Sequence, residues 1–319
     1  MLAAWAFKQR AREQSSKVEI RVLEPDELGG EFLRGGLKYL RHSPAVESLL
    51  GLLGLEYEVR DVRGGILLDP VVYSFPEHLS TLKLEDAVRI QGDHFRKTRG
   101  VDLLGKHTSM NDPFAKEKER KVVCDVHKFC YKLLDTVAAD PAVFNVIPRP
   151  LYSVAVNNVA VAGAQALYYD YMVLTLPLWA TRGKVPWDVP KCHNRPLNAA
   201  LIKTTSNLYK MWDYVYTPYT PFDFVHRMSP AGEDKFWLEA NGLCDNDKFE
   251  GEARYLFHDK YEVERVVSGL KGHLLPLEGE QPVYPENVAP LGRFAEWYPR
   301  ATVDYVLERA QELARRWLR

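Results

Sequence analysis

Between Leu151 and Ala180 the chain runs for thirty residues with Asp170 as its single charge (LYSVAVNNVAVAGAQALYYDYMVLTLPLWA). Fully burying one large apolar side chain is worth about 1.5–3 kcal/mol relative to leaving it in water. The run therefore predicts an interior position, a buried apolar central segment. It does not predict a membrane span. A spanning helix needs about 20 consecutive apolar residues, and Asn157, Asn158, Asp170 and Pro177 interrupt this one. A mid-bilayer Asp alone costs about 2.5–3.5 kcal/mol on insertion scales. The reading is a soluble protein with no membrane partner.

Inside the run, Tyr152–Val156 and Val159–Ala162 flank Asn157-Asn158 and predict a hairpin, since Asn tolerates positive φ in tight turns. Ala164–Leu176 reads as a helix apolar on all sides, although periodicity alone does not separate a short buried helix from a strand.

Elsewhere the pattern is easier to read. Leu2–Gln14 predicts a helix, the alternation in Lys17–Leu23 a strand, and Ser43-Pro44 a capped helix start. One further helix is expected within Glu27–Arg41 and another over Leu84–Arg96. Glu56–Val62, Ile66–Leu68 and Val71–Tyr73, with a turn at Gly64-Gly65, predict a small antiparallel sheet in the N-terminal part. Asp112-Pro113 starts a helix expected to run to about Ala138, with Val122, Val126, Phe129, Cys130, Leu133 and Val137 as its apolar stripe and the Lys116–Lys121 run as a solvated face. Asn198–Val215 is read as a helix, Lys235–Ala240 as a strand, and residues 271–292 as irregular. An amphipathic helix begins near Thr302, with Arg315, Arg316 and Arg319 complementing its dipole. The fold class that follows is α+β and helix-dominant. A single domain over residues 1–319 is expected, with Pro141, Pro148 and Pro150 marking a subdomain boundary within 141–150.

Charge excludes some functions. The net charge is −1, and residues 1–150 carry 23 Lys+Arg against 22 Asp+Glu, so no basic excess advertises nucleic-acid binding. Cys124, Cys130, Cys192 and Cys244 form no C-x-x-C pair, which fits a reducing compartment, and no N-x-Ser/Thr sequon or signal-peptide pattern argues for secretion. Cytoplasm or virion is the expected location. The six glutamines are few enough to fit a heat-adapted source.

The motifs are near-misses. Gly100–Thr108 matches the phosphate-cradling G-x-x-x-x-G-K-[ST] until its last position, where His107 replaces the Mg²⁺-binding hydroxyl. Cys124-x-x-His127-x-x-Cys130 has metal-binding residue types, yet the outer two lie about 9 Å apart along a helix axis. Asp245 and Asp247 form an acidic pair suited to Mg²⁺ or Mn²⁺, although Gly251 falls one place late for a calcium loop. His94–Arg99 is a compact basic patch in which Arg96, Lys97 and Arg99 are candidate phosphate contacts. Tyr216 and Tyr219, in an aromatic-rich stretch from Tyr209 to Phe224, are candidate base-stacking residues. No G-x-S-x-G, H-E-x-x-H or G-x-G-x-x-G occurs.

From the missing catalytic motif and the apolar surplus, the sequence predicts a non-enzymatic subunit of a larger assembly, such as a virus-type shell or a nucleoprotein complex. Its partners would be further copies, other protein subunits, or nucleic acid. The alternative is a metal-dependent phosphoryl-transfer enzyme or nuclease, with Asp245 and Asp247 holding Mg²⁺ or Mn²⁺ as cofactor and Arg96 and Lys97 holding phosphates.

Overall fold

The computed structural model describes residues 1–25, 40–68, 71–75, 78, 81–98, 120–140, 143–218, 220, 224–241, 245–258, 260–274, 277–298 and 301–318. The chain opens with α1 (Leu2–Glu13), β1 (Ile20–Leu23), β2 (Leu40–Arg41), α2 (Pro44–Leu52), β3 (Glu58–Asp61), β4 (Gly64–Leu68) and β5 (Val71–Phe75). Then come α3 (Leu84–Thr98), β6 (Arg120–Val123), α4 (Val126–Ala138), β7 (Phe144–Ile147), β8 (Leu151–Ala155), β9 (Val159–Ala162), β10 (Gln165–Tyr168) and β11 (Met172–Leu174). The short α5 (Leu178–Thr181) precedes β12 (Asn194–Thr204), β13 (Tyr214–Tyr216), β14 (Val225–Pro230) and β15 (Lys235–Asn241). The chain closes with α6 (Asn246–Phe257), β16 (Tyr261–Leu274), β17 (Val288–Pro290) and α7 (Val303–Trp317). Two compact units result, one made of residues 1–60, 121–193 and 274–319, the other of 61–120 and 194–273.

The first unit is built around two parallel strand pairs, β1 with β7 and β11 with β17. Side chains alternate across a strand, so every second residue faces the same layer. Ile20 and Val22 of β1, Phe144 and Val146 of β7, Val173 of β11 and Ala289 of β17 all enter one core, shared with α1, α2, α4 and α7. Leu23, Met172, Leu174 and Val288 enter a second core with Leu151 and Val154 of β8 and Ala160 of β9. The two pairs are thus parts of one layer, helices on one face and the antiparallel meander β8-β9-β10 on the other. Within the helix layer α1 packs against both α4 and α7. Lys8 is buried and its ammonium donates to the carbonyls of Thr136 and Val137, both at 3.0 Å, closing the C-terminal end of α4. Ser43 caps α2 by accepting from the Val46 amide at 3.2 Å.

The second unit carries a seven-stranded sheet ordered β16-β12-β15-β14-β13-β4-β5. Its pairs are antiparallel wherever the register is defined, except β13 with β4, which is parallel. One face packs Ala200, Ile202, Met228, Phe236 and Leu238 against Phe249, Ala253, Leu256 and Phe257 of α6.

The helix-dominant α+β expectation is corrected: strand is no less abundant than helix among the described residues, and the early strands β4 and β5 are the edge of the large sheet. The errors share a cause, which is strands buried on both faces. In β12, Ala200 and Ile202 face one core while Leu197, Ala199 and Leu201 face another, so the segment looks apolar all round and was expected to be a helix. Gly64-Gly65 is not a turn but strand, because a Cβ at Gly64 would lie 2.5 Å from both the Phe75 carbonyl and the Tyr214 hydroxyl. Among the described residues the helix expected up to Ala138 is capped at Asp125, whose carboxylate accepts from the Lys128 amide, and Val122 belongs to β6; the expected start at Asp112-Pro113 lies outside the described residues. Ala164–Leu176 forms β10 and β11. The expected hairpin does form, with Asn158 at φ +61°. The central run is not wholly interior, however: Tyr152, Val156 and Tyr168 are 69%, 85% and 76% exposed on the meander.

Candidate functional site

In open parallel sheets, ligands bind outside the carboxyl ends of the strands, where helix N-termini present unpaired amides. The first unit offers such an edge. β1 ends at Leu23 and is followed directly by Glu24, and the amino end of α1 lies close enough for the Glu24 charge to act on the Met1 α-amino group. Burial lowers the pKa of that amino group, and Glu24 partly offsets the effect. Beyond β17, Gly292 at φ +101° opens a turn in which the amides of Ala295 and Glu296 donate to its carbonyl. At the end of β7, Pro148 and Arg149 border an open cleft of about 620 Å³, whose other walls include Glu19, Arg21, Asn145 and Gln165. An acidic group after the first strand, a helix amino end beside it and a positive-φ glycine after the last strand suit a ligand with ribose hydroxyls and phosphates.

The second unit encloses a polar cluster. The Lys97 ammonium is buried and donates to the carbonyls of Thr217 (2.6 Å) and Val225 (3.3 Å) and to the Thr220 hydroxyl. Glu252 has no exposed surface; its Oε1 accepts from the Val225 amide (3.1 Å) and the Thr220 hydroxyl (3.2 Å), while Oε2 has no hydrogen-bond partner among the described residues. Desolvation pushes its carboxyl up to about 7, against the opposing pull of Lys97. Nearby, His94 and His226 are buried with ring centroids 6.0 Å apart, and His94 meets Tyr216 edge-on at 5.5 Å.

The residues singled out from sequence are not gathered into one place. Arg96 is exposed on α3 and pairs with Asp93 at 2.8 Å. Lys97 serves the buried cluster, and Tyr216 belongs to the aromatic packing around Phe75, His94 and Tyr214. Arg99, Tyr219, Cys244 and Gly100–Thr108 lie outside the described residues. Asp245 caps α6 by accepting from the Lys248 amide at 3.1 Å, and Asp247 sits in the exposed first turn of that helix. Among the described residues no group of three or more His, Cys, Asp or Glu could hold a metal ion. Burial, with help from Asp125, pushes the Cys124 thiol up to about 11, so the thiol is protonated at neutral pH. Among the described residues, no helix is long and apolar enough to cross a membrane. Sequence reasoning passed over Glu24 and Glu252. The signal for Glu24 was an acid directly after an alternating strand, which draws attention only when a glycine-rich turn precedes it.

No protein-family model matches the chain, and no curated protein matches its sequence. Solved structures do match its fold. Reduced UDP-galactopyranose mutase is 13% identical, with 99% of this chain and 93% of that chain covered at a TM-score of 0.70. Cyclohexylamine oxidase from Brevibacterium oxydans is 10% identical, covering 99% and 95% at 0.65. An oxidoreductase from Methanosarcina mazei is 12% identical, covering 98% and 97% at 0.59. This chain shares its overall fold with these proteins. The likeness corrects the sequence-based expectation of a shell or nucleoprotein subunit, and with it the metal-dependent nuclease alternative. The first rests on a missing catalytic motif and an apolar surplus, the second on an acidic pair, and the fold is instead that of proteins named for a mutase, an oxidase and an oxidoreductase activity.

Proposed function

We propose that this chain is the scaffold of an FAD-dependent enzyme of the oxidoreductase class, with the dinucleotide held at the carboxyl ends of β1, β7, β11 and β17. The observation that carries the reading is the position of Glu24, directly after the parallel strand β1 and near the amino end of the helix that leads into that strand. In dinucleotide-binding folds an acid there accepts hydrogen bonds from the ribose hydroxyls, and the helix amino end faces the pyrophosphate. The fit to FAD is partial. Glu24, α1 and the Gly292 turn supply adenosine and phosphate contacts, but no G-x-G-x-x-G exists in the sequence to cradle the pyrophosphate. When bound, the flavin would supply the redox chemistry.

The test is titration of FAD and of ADP, read by flavin and tryptophan fluorescence. Saturable binding of both is expected, weakened at least about tenfold by Glu24→Gln, equivalent to about 1.4 kcal/mol. Equal affinity in the Glu24→Gln variant would contradict the assignment. So would the absence of saturable FAD binding.

A further inference from the structure

Helix α3, which lies wholly within the second unit, carries two different faces. Ile90, His94, Lys97 and Thr98 are buried. Leu84, Val88 and Phe95 are instead 79%, 63% and 51% exposed. At about 100° per residue, these three and Gly92 fall within about 80° of one another, centred about 130° around the helix from the buried four. The stripe is thus a second apolar face, open to solvent and separate from the one that packs on the sheet. Single exposed apolar residues are ordinary, whereas contiguous ones mark interaction sites.

The stripe has relief and a charged flank. Gly92 is exposed, and among the described residues no atom lies within 4 Å of the place its Cβ would take. A glycine inside a helix costs about 0.8–1.0 kcal/mol relative to alanine. Here it leaves an opening in the stripe one turn beyond Val88. Glu85 and Arg96 stand on the same flank, at about 100° and 120° from Leu84. Both are exposed, Arg96 with 61% of its side chain in solvent. Arg96 donates to Asp93 at 2.8 Å. A guanidinium has five N–H donors, so that bond leaves room for a second carboxylate.

We infer that α3 pairs with the α3 of a second copy of this chain, the two helices antiparallel about a two-fold axis at the level of Ile90. In a two-fold interface every contact occurs twice, residue i on j and j on i. Such an axis exchanges positions equidistant from residue 90 and sets like flanks against each other. Val88 then enters the opening over Gly92, Leu84 meets Phe95, and Glu85 lies beside Arg96. A parallel pairing would set Val88 on Val88 and Glu85 on Glu85, matching neither shape nor charge. A lipid surface is a poor occupant, because Glu85, Asp86 and Asp93 offset Arg89 and Arg96 and leave no cationic excess on the polar face. A single pair of helices about 22 Å long is a small contact beside the about 1,200–2,000 Å² of standard interfaces. The dimer is therefore weak and reversible, with a Kd of about 1–100 µM. It is independent of the flavin reading.

The test is sedimentation velocity on the full chain over about 1–500 µM, with circular dichroism melts of each variant. A reversible monomer–dimer equilibrium is expected. Gly92→Leu improves helix propensity and has room in its own chain, yet it fills the opening that Val88 enters. It should weaken association at least about tenfold while the melting temperature holds or rises. Glu85→Arg and Arg96→Glu should each weaken association at least about threefold, since each sets like charges together twice per dimer. The double variant E85R/R96E should recover the wild-type affinity, because the two charges merely exchange places across the axis. Association unchanged by Gly92→Leu overturns α3 as the seam. Weakening by both single charge variants without recovery in the double overturns the antiparallel register. A monomer at every concentration overturns the dimer, and such a monomer binding anionic lipid vesicles, with Val88→Arg abolishing the binding, assigns the stripe to a membrane surface instead.

Discussion

Glu252 is the residue at which burial most directly controls chemistry. Its carboxyl is raised to about 7 by desolvation, above an unfolded value near 4.5. The folded state therefore holds the proton more tightly than the unfolded state. The associated stability is fully present below pH 4.5 and is lost as pH rises through 7. A shift of that size corresponds to on the order of 3 kcal/mol. Thermal unfolding between pH 5 and 8 checks this: the wild-type midpoint should fall across the interval, and Glu252→Gln, which keeps the shape but cannot ionise, should flatten the fall. An equally steep fall in the variant would remove Glu252 as its origin. Lys97→Ala should cost about 3–5 kcal/mol, because the Thr217 and Val225 carbonyls and the Thr220 hydroxyl would lose a buried donor and Glu252 its neighbouring cation. Chemical denaturation measures that loss directly.

Among the elements, β4 depends on a missing side chain. Gly64→Ala places a methyl group against the Phe75 carbonyl and the Tyr214 ring, and overpacking of this kind costs about 1–3 kcal/mol. Ser43→Ala removes the cap of α2 at a cost of about 1 kcal/mol. Urea midpoints of the two variants should fall in that order. The same elements show what was legible in the sequence. Ser43-Pro44, the alternation before Leu23, Asn157-Asn158 and the amphipathic pattern of the last helix each encode their structure locally, and the structure follows each. β12, β10 and β11 were not, because partners far along the chain decide their conformation: Ala199 and Ala200 pair with Glu239 and Leu238, and Met172 with Val288. A strand buried on both faces loses the alternation that marks it. For the candidate site the limit was different. Glu24 gains meaning only from the helix amino end whose charge it influences and from the parallel strand beside it, and neither relation has a local signature.

At the scale of the whole molecule, each unit is assembled from non-contiguous segments, and the chain passes between them near residues 60, 120, 193 and 273. Composition and charge carried little information about this arrangement, and sequence identities of 10–13% to proteins of the same fold explain why motif reading failed. The proposed function nevertheless depends on one edge, the carboxyl ends of the parallel strands in the first unit, where ligands bind in open parallel sheets. The most direct test is the amide-exchange footprint of FAD on the full chain. The account predicts slowed exchange at Glu24 and in the first turn of α1, Ala3 to Trp5. A footprint absent from those residues, or confined to the first turn of α6 around Asp247, would contradict it.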